Sequence, residues 1–318
     1  MSPSRQHWLL ALKLTATVGL AAFLLSRADW RKIGQSFAES NGFFLALVFI
    51  AMALCVVISA WKWRLLLDIH GIRFDFFRLN RLYFIAMFFN NFLPTGIGGD
   101  GYRVMKTWHN ERSRAGAVIA VFMERLTGIA ALLMLGFAGG VIGWLVDGDW
   151  LSRWIVIIGL VGGALTLALG AALLKTGLLQ QWLRSPRCPA VVRTTFEHLT
   201  DYRNKPGESA MVMAVSFGFH FLTISWWWML LAAVGAHLPL YHLVVVLAIL
   251  SIVTVLPLSI NGIGLVDGSF IYLAGQYGLT YEQGLTVMLL LRALMIPVSL
   301  MGAWYYLKEK KGQHHVRD

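Results

Sequence analysis

Long apolar runs alternate along the chain with short polar connections, and the runs are too uniformly apolar to be one-sided faces of soluble helices. Stretches at 8–25, 42–60, 127–146, 154–174, 210–236, 240–256 and 284–307 come close to or exceed the roughly 20 apolar residues that span a hydrocarbon core. They predict an all-α polytopic membrane protein with about seven full transmembrane helices. Two further apolar segments, 79–93 and 265–277, are too short for a comfortable crossing and border glycine-rich stretches. Composition agrees with this pattern: 58% of the 318 residues are hydrophobic and 14% charged, against about 25% charged in a soluble domain. A soluble enzyme, a disordered chain and a disulfide scaffold are excluded. Cys55 lies in an apolar run and Cys188 in a basic loop, so no bridge is expected.

The first run follows Arg5 and His7 and could be mistaken for a secretory signal. Ser26-Arg27-Ala28-Asp29 comes next rather than a small-residue cleavage site, so an uncleaved first helix is expected. Lys and Arg number 27 against 16 Asp and Glu, a net charge of +11. No basic groove interleaved with aromatics accompanies the excess, so nucleic acid is not an expected partner. The basic residues gather in connections, which the positive-inside rule places in the cytoplasm facing anionic phospholipid headgroups. Lys62, Arg64, Arg73, Arg78 and Arg81 mark one such connection, and Arg103, Lys106, Arg112 and Arg114 the next. Residues 175–208, the longest polar segment, form a basic loop with an amphipathic stretch (Val191, Val192, Phe196, Leu199, Tyr202) suited to an interfacial helix. The tail, 308–318, is also basic. The Asp147-Gly148-Asp149 turn and the 235–241 loop then fall outside, and both termini inside. Arg27, Arg31 and Lys32 run against this scheme.

One pattern occurs twice. Leu93-Pro94-Thr95-Gly96-Ile97-Gly98-Gly99-Asp100-Gly101 is echoed by Leu256-Pro257, Gly262-Ile263-Gly264 and Asp267-Gly268. The prolines are 163 residues apart and the aspartates 167. Proline removes a backbone donor and glycine favours non-helical backbone, so each copy opens a helix. Opened backbone at membrane depth is tolerated only where protein buries it or a wet cavity receives it. Paired interruptions in two halves of a chain point to a transporter's binding site. The first copy lies between basic connections and should dip in from the cytoplasm; the second should dip in from outside. Two broken or re-entrant hairpins in an inverted-repeat arrangement follow. Helix packing by glycine alone is the plainer alternative.

The stretch from Phe89 to Arg103, with Asn90, Asn91, Pro94 and the Gly96–Gly99 run, resembles the signature of the lysylphosphatidylglycerol synthase transmembrane family, flippase-like integral membrane proteins. Glu124-Arg125-Leu126-Thr127-Gly128 and the second Leu-Pro copy fit its later motifs. The resemblance implies a single flippase-like transmembrane domain over 1–318 in a bacterial plasma (inner) membrane. In the best understood relatives this region is fused to a soluble aminoacyl-transferase half, which is not expected here, so lipid synthesis is not implied.

Charges inside spans are costly and are functional candidates by default. Glu124 and Arg125 sit near mid-membrane, as an internal ion pair or as substrate contacts. Asp100 and Arg103 flank the first break, where a guanidinium could meet a lipid phosphate or anchor the interface. Asp267 and Arg292 follow the second break and could simply pair with each other. Asn90 and Asn91 are expected to satisfy opened backbone, and the candidate set is completed by Pro94, Gly96, Gly98, Gly99, Pro257, Gly262 and Gly264. His220 reads as a packed core histidine, and Trp226-Trp227-Trp228 as an aromatic belt.

Three functions compete. The first is a transporter or flippase for an anionic or headgroup-bearing phospho- or glycolipid. The second is a membrane enzyme on a lipid-linked substrate, with Asp147 and Asp149 at a spacing that can hold a divalent cation. The third is a non-catalytic scaffold. No nucleotide, nucleophile or zinc motif is present, so no cofactor and no metal are expected. Membrane lipids are the expected partners, and a homo-oligomer stays open.

Overall fold

A computed structural model describes residues 3–92, 98–108, 111–176, 185, 201–256 and 258–314, and among them it is helical throughout with no strand. In chain order the helices are α1 (Pro3–Ser26), α2 (Trp30–Ala38), α3 (Gly42–Ile69), α4 (Phe76–Phe92), α5 (Gly98–Thr107), α6 (Glu111–Asp147) and α7 (Trp150–Thr176). After the 201–204 region come α8 (Pro206–Ala233), α9 (Leu240–Val255), a 3-10 turn (Ile260–Gly262), α10 (Leu265–Gly275) and α11 (Tyr281–His314). Four of them, over Gly42–Ile69, Ser113–Asp147, Pro206–Ala233 and Tyr281–Glu309, are long and apolar enough to cross a membrane. Shorter apolar helices cover Leu12–Ser26, Trp150–Thr166, Leu240–Val255 and Ile260–Gly275. This is a polytopic membrane architecture. Starts are fixed locally: Asp29, Asn41 and Asp149 each accept two backbone N–H groups at the head of α2, α3 and α7.

Contacts sort the connections onto two faces. Lys205 Nζ donates to the Ile69 carbonyl at 2.8 Å, and Gly116 lies against His70 and Ile72. The end of α11 joins this basic face through Glu309, bonded to Lys106 and Tyr102. On the opposite face the Asn41 N–H donates to Ala233, and Tyr241 and Tyr277 donate to Asp147 and Asp149. There, burial pushes the Asp149 carboxyl up, but hydrogen bonds from Ser152, Tyr277 and Leu151 outweigh it and hold the group below the ordinary carboxylate range. Helices α3 and α8 are therefore antiparallel, touching again at mid-length where Cys55 meets Thr223.

Helix α5 folds back onto α4. Gly99 lies so close to α4 that a Cβ there would fall 1.9 Å from the Ala86 carbonyl oxygen. On the other side of α4, a Cβ at Gly302 of α11 would fall 2.0 Å from the Phe84 carbonyl. Only glycine allows these two approaches. The second hairpin, α9 with α10, brings Tyr277 back to the start of α9, where its ring stacks on His242 at 3.8 Å. Its tip turns through Asn261, which has φ +51°. The two hairpins enter from opposite faces, and their tips meet where Asn261 Nδ2 donates to the Asn91 carbonyl at 3.3 Å. The α4–α5 and α9–α10 pairs are thus re-entrant, as the inverted echo required, not kinked through-helices.

Three expectations change. The run 240–256, expected as a separate crossing, is the 16-residue first arm of the second hairpin; the backbone beyond it is met at Ile260, whose N–H donates to the Thr17 hydroxyl of α1 at 2.8 Å. Trp226 and Trp227 are buried and stacked on each other at 5.2 Å, with only Trp228 exposed, so the tryptophan triplet is mainly core. Arg27, Arg31 and Lys32 border or belong to α2, a short surface helix whose Ile33 is buried beside Ile271 and Leu285; Lys32 pairs with Asp29. The interfacial stretch expected at 191–202 and Cys188 lie almost wholly or wholly outside the described residues.

Candidate functional site

Helix α6 runs ten residues from Arg114, at the basic face, to Glu124, a rise of about 15 Å. That is about half of a hydrocarbon core near 30 Å thick. Helix α5, the returning arm of the first hairpin, lies beside it and supplies Asp100 and Arg103 one turn apart. The four charges pair crosswise. Arg103 donates to Glu124 Oε2 at 2.6 Å and to Asp100 Oδ1 at 2.8 Å. Arg125 donates to Asp100 Oδ2 through Nε at 2.8 Å and again through Nη2. Glu124 and Arg125, adjacent in sequence, thus do not pair with each other; successive helical positions point about 100° apart, so each finds its partner on α5.

Arg103 is held further by aromatic rings, its guanidinium 4.5 Å over Tyr83 and 5.0 Å over Trp63. The Tyr83 hydroxyl donates to Glu124 Oε1 at 2.6 Å. Lys62, 6% exposed, donates at 2.8 Å to the Glu124 backbone carbonyl, while the carboxylate of that residue is taken by Tyr83 and Arg103. His220 Nε2 donates to the Gly128 carbonyl at 2.8 Å. Its Nδ1, and Nε of Arg103, are buried with no partner among the described residues.

All of these residues but Trp63 line one cavity of about 510 Å³, together with Asn90, Asn91 and Ser59. Three cations (Lys62, Arg103, Arg125) face two carboxylates (Asp100, Glu124), which leaves one positive charge over. Arg125 is half exposed at the mouth, and Arg103 is sealed within. A cavity with spare donors and one uncompensated cation can receive a compact anion such as a phosphate group.

Of the sequence candidates, Asn90, Asn91, Asp100, Arg103, Glu124 and Arg125 are brought together here. Asn90 Oδ1 accepts the Gly99 N–H at 2.9 Å, satisfying opened backbone, while Asn91 Nδ2 donates to Ser299. Gly98 begins α5 and Gly99 forms the close contact with α4. Gly262 and Gly264 belong to the second hairpin, where the Gly264 N–H donates to Asp267 Oδ2 at 2.8 Å. Asp267 and Arg292 do pair, with two Arg292 contacts at 2.7 Å, away from the cavity. Pro94, Gly96 and Pro257 lie outside the described residues. Lys62, Tyr83 and Ser59 were missed; His220 is buried and hydrogen-bonded, as expected of a packed histidine, and also lines the cavity. A signal existed for two of these: Ser59 and Lys62 are three apart at the end of an apolar run and share a helix face.

Residues 8–302 match the family model described as lysylphosphatidylglycerol synthase TM region. No curated protein and no solved structure matches the chain.

Proposed function

Because the chain belongs to the lysylphosphatidylglycerol synthase TM region family, membrane proteins linked to lipid handling, we propose that it moves an anionic, phosphate-bearing lipid headgroup between leaflets. The observation that carries this reading is the charge balance of the cavity: one cation in excess, at mid-membrane, beside the meeting point of two oppositely entering hairpins. A buried charge with no counter-ion is costly, and an entering phosphate would supply one. About 510 Å³ holds a headgroup but not two acyl chains. The tails therefore stay in the bilayer. The basic face is cytoplasmic in this reading, both termini lie inside, and the membrane is a bacterial plasma membrane.

The enzyme reading draws less support. Asp147 accepts the Tyr241 hydroxyl, and Asp149 is spent on capping α7 and on Tyr277. The test is leaflet exchange of fluorescent phosphatidylglycerol in vesicles reconstituted with the purified protein. Wild type should accelerate exchange, and Lys62→Gln should lower it about tenfold or more, the worth of one charge-assisted hydrogen bond. Exchange no faster than in protein-free vesicles would overturn the proposal.

A further inference from the structure

A second cavity, of about 760 Å³, lies between α6, α7 and α9 and is lined by apolar side chains and glycine, among them Met134, Phe137, Ile158, Gly162 and Ile252. Its position relative to the polar cavity is set by two shared helices. Along α6, Gly128 and Ile129 of the polar cavity are followed one turn later by Leu133 and Met134 of the apolar groove. Along the antiparallel α9, Thr254 and Val255 border the polar cavity, and Ile252, Ile249 and Ala248 border the groove. Both helices thus pass from polar cavity to groove in the same direction, away from the basic face.

The two helices pack closely from Gly136 outward. A Cβ at Gly136 would fall 2.4 Å from the Ala248 Cβ, and one at Gly139 would fall 2.8 Å from the Tyr241 carbonyl oxygen. From this pinch toward the hairpin tip the surface opens: Arg125, Thr254 and Val255 are exposed where the polar cavity reaches the side of the molecule. The opening is lateral, toward hydrocarbon, and the groove begins beside it at Ile252. A lipid whose headgroup entered here from the basic-face leaflet would have its tails pointing away from that face, along the groove.

On these grounds we propose that the α6–α7–α9 groove seats one acyl chain of the lipid whose headgroup occupies the polar cavity, so that substrate enters sideways from the bilayer and not from water. The inference rests on the headgroup reading above. Hydrocarbon outside the groove is as apolar as its walls, so the groove adds little driving force. It aligns the lipid, and the charges of the polar cavity hold it. Occupancy of the groove by the transported lipid must therefore depend on a headgroup contact some turns away, whereas ordinary boundary lipid would ignore it.

The experiment uses the full chain in vesicles containing phosphatidylglycerol with a photoreactive diazirine in one acyl chain. Labelled peptides are mapped by mass spectrometry in wild type and in the Lys62→Gln variant, which leaves the Asp100–Arg125 pair intact. The expected result is labelling around Ile158 and Ile252 that falls at least fivefold in the variant and is not reproduced by an equally labelled phosphatidylcholine. Gly162→Phe and Gly163→Phe place a ring in open space, since a Cβ at either meets nothing within 4 Å. Whichever of them elutes and unfolds like wild type should lose groove labelling too. Labelling equal in wild type and Lys62→Gln, or equal for both lipids, would identify boundary lipid and overturn the groove assignment alone. Wild type that labels the groove but exchanges no lipid would overturn the headgroup reading instead.

Discussion

The two halves of the molecule share a skeleton and differ in what they place inside it. In the first, the α4–α5 hairpin leans on α6; in the second, α9–α10 leans on α11. Asp100 and Asp267 are 167 residues apart, and so are their partners Arg125 and Arg292. Each carboxylate is held by an arginine 25 residues further on. Trp63 and Trp227 stand at matching points of α3 and α8, and each packs on the returning hairpin arm of its own half. Trp63 lies under the Arg103 guanidinium, and Trp227 lies 5.0 Å from the Phe270 ring. Arg103 and Phe270 are themselves 167 apart, as are Glu124 and Leu291. One half buries a cation and a carboxylate where the other buries a phenyl ring and an aliphatic chain.

The comparison separates two kinds of charge. An Asp–Arg pair present in both halves, including the half whose surroundings are apolar, acts as a tie between hairpin and long helix. Lys62, Arg103 and Glu124 have no charged counterpart and make the first half a polar site. This division can be broken experimentally. The largest effect is expected from removing one partner of the second tie: Arg292→Ala leaves Asp267 buried with little more than the Gly264 N–H. It should cost toward the lower end of the about 3–5 kcal/mol typical of a broken buried pair, because Arg292 is partly exposed. Thermal unfolding in detergent measures it, and Asp267→Leu/Arg292→Leu together should cost less than either single change.

Next comes Gly302→Leu, which drives a side chain into the Phe84 carbonyl and should destabilise by about 1–3 kcal/mol or more. Gly275→Leu, where a Cβ meets nothing within 4 Å, serves as its control. The comparison is sharpened by making the first half resemble the second. Arg103→Phe with Glu124→Leu should leave the melting temperature within a few degrees while abolishing lipid exchange. Survival of exchange would mean that the charges found in one half alone are structural.

The smallest effect concerns the turn between α6 and α7. Because the Asp149 carboxyl is held below its ordinary range, its contribution to the capping contact is complete at neutral pH. It is lost only as the pH falls below about 4, through the lowered value. The protection factor for hydrogen exchange at the head of α7, taken against the intrinsic rate at each pH, should therefore hold between pH 7 and 5 and fall toward pH 3. Asp149→Asn should remove most of that dependence.

Much of this design is legible from residue order. Apolar runs announce a membrane protein because bilayer thickness sets their length. Leu-Pro and the glycines announce the two interruptions because they act on their own backbone, whatever lies around them. Basic connections distinguish the two faces, and that already orders the hairpins as opposed. What residue order could not supply is who meets whom. Glu124 and Arg125 are neighbours in the chain but bond to different partners on α5, because helical rotation and the fold-back at Gly99 decide which way each one faces. Lys62 reads as one of a row of loop cations until α6 is packed against α3 and brings the Glu124 carbonyl to its ammonium. Trp227 leaves its expected interfacial setting for the core, and His220, buried as expected, becomes part of a cavity wall, for the same reason. Local backbone chemistry was determined by sequence alone; the site was decided by tertiary packing, since charge pairing falls off over a few ångströms and only packing brings residues 62, 83, 100, 103, 124 and 220 that close.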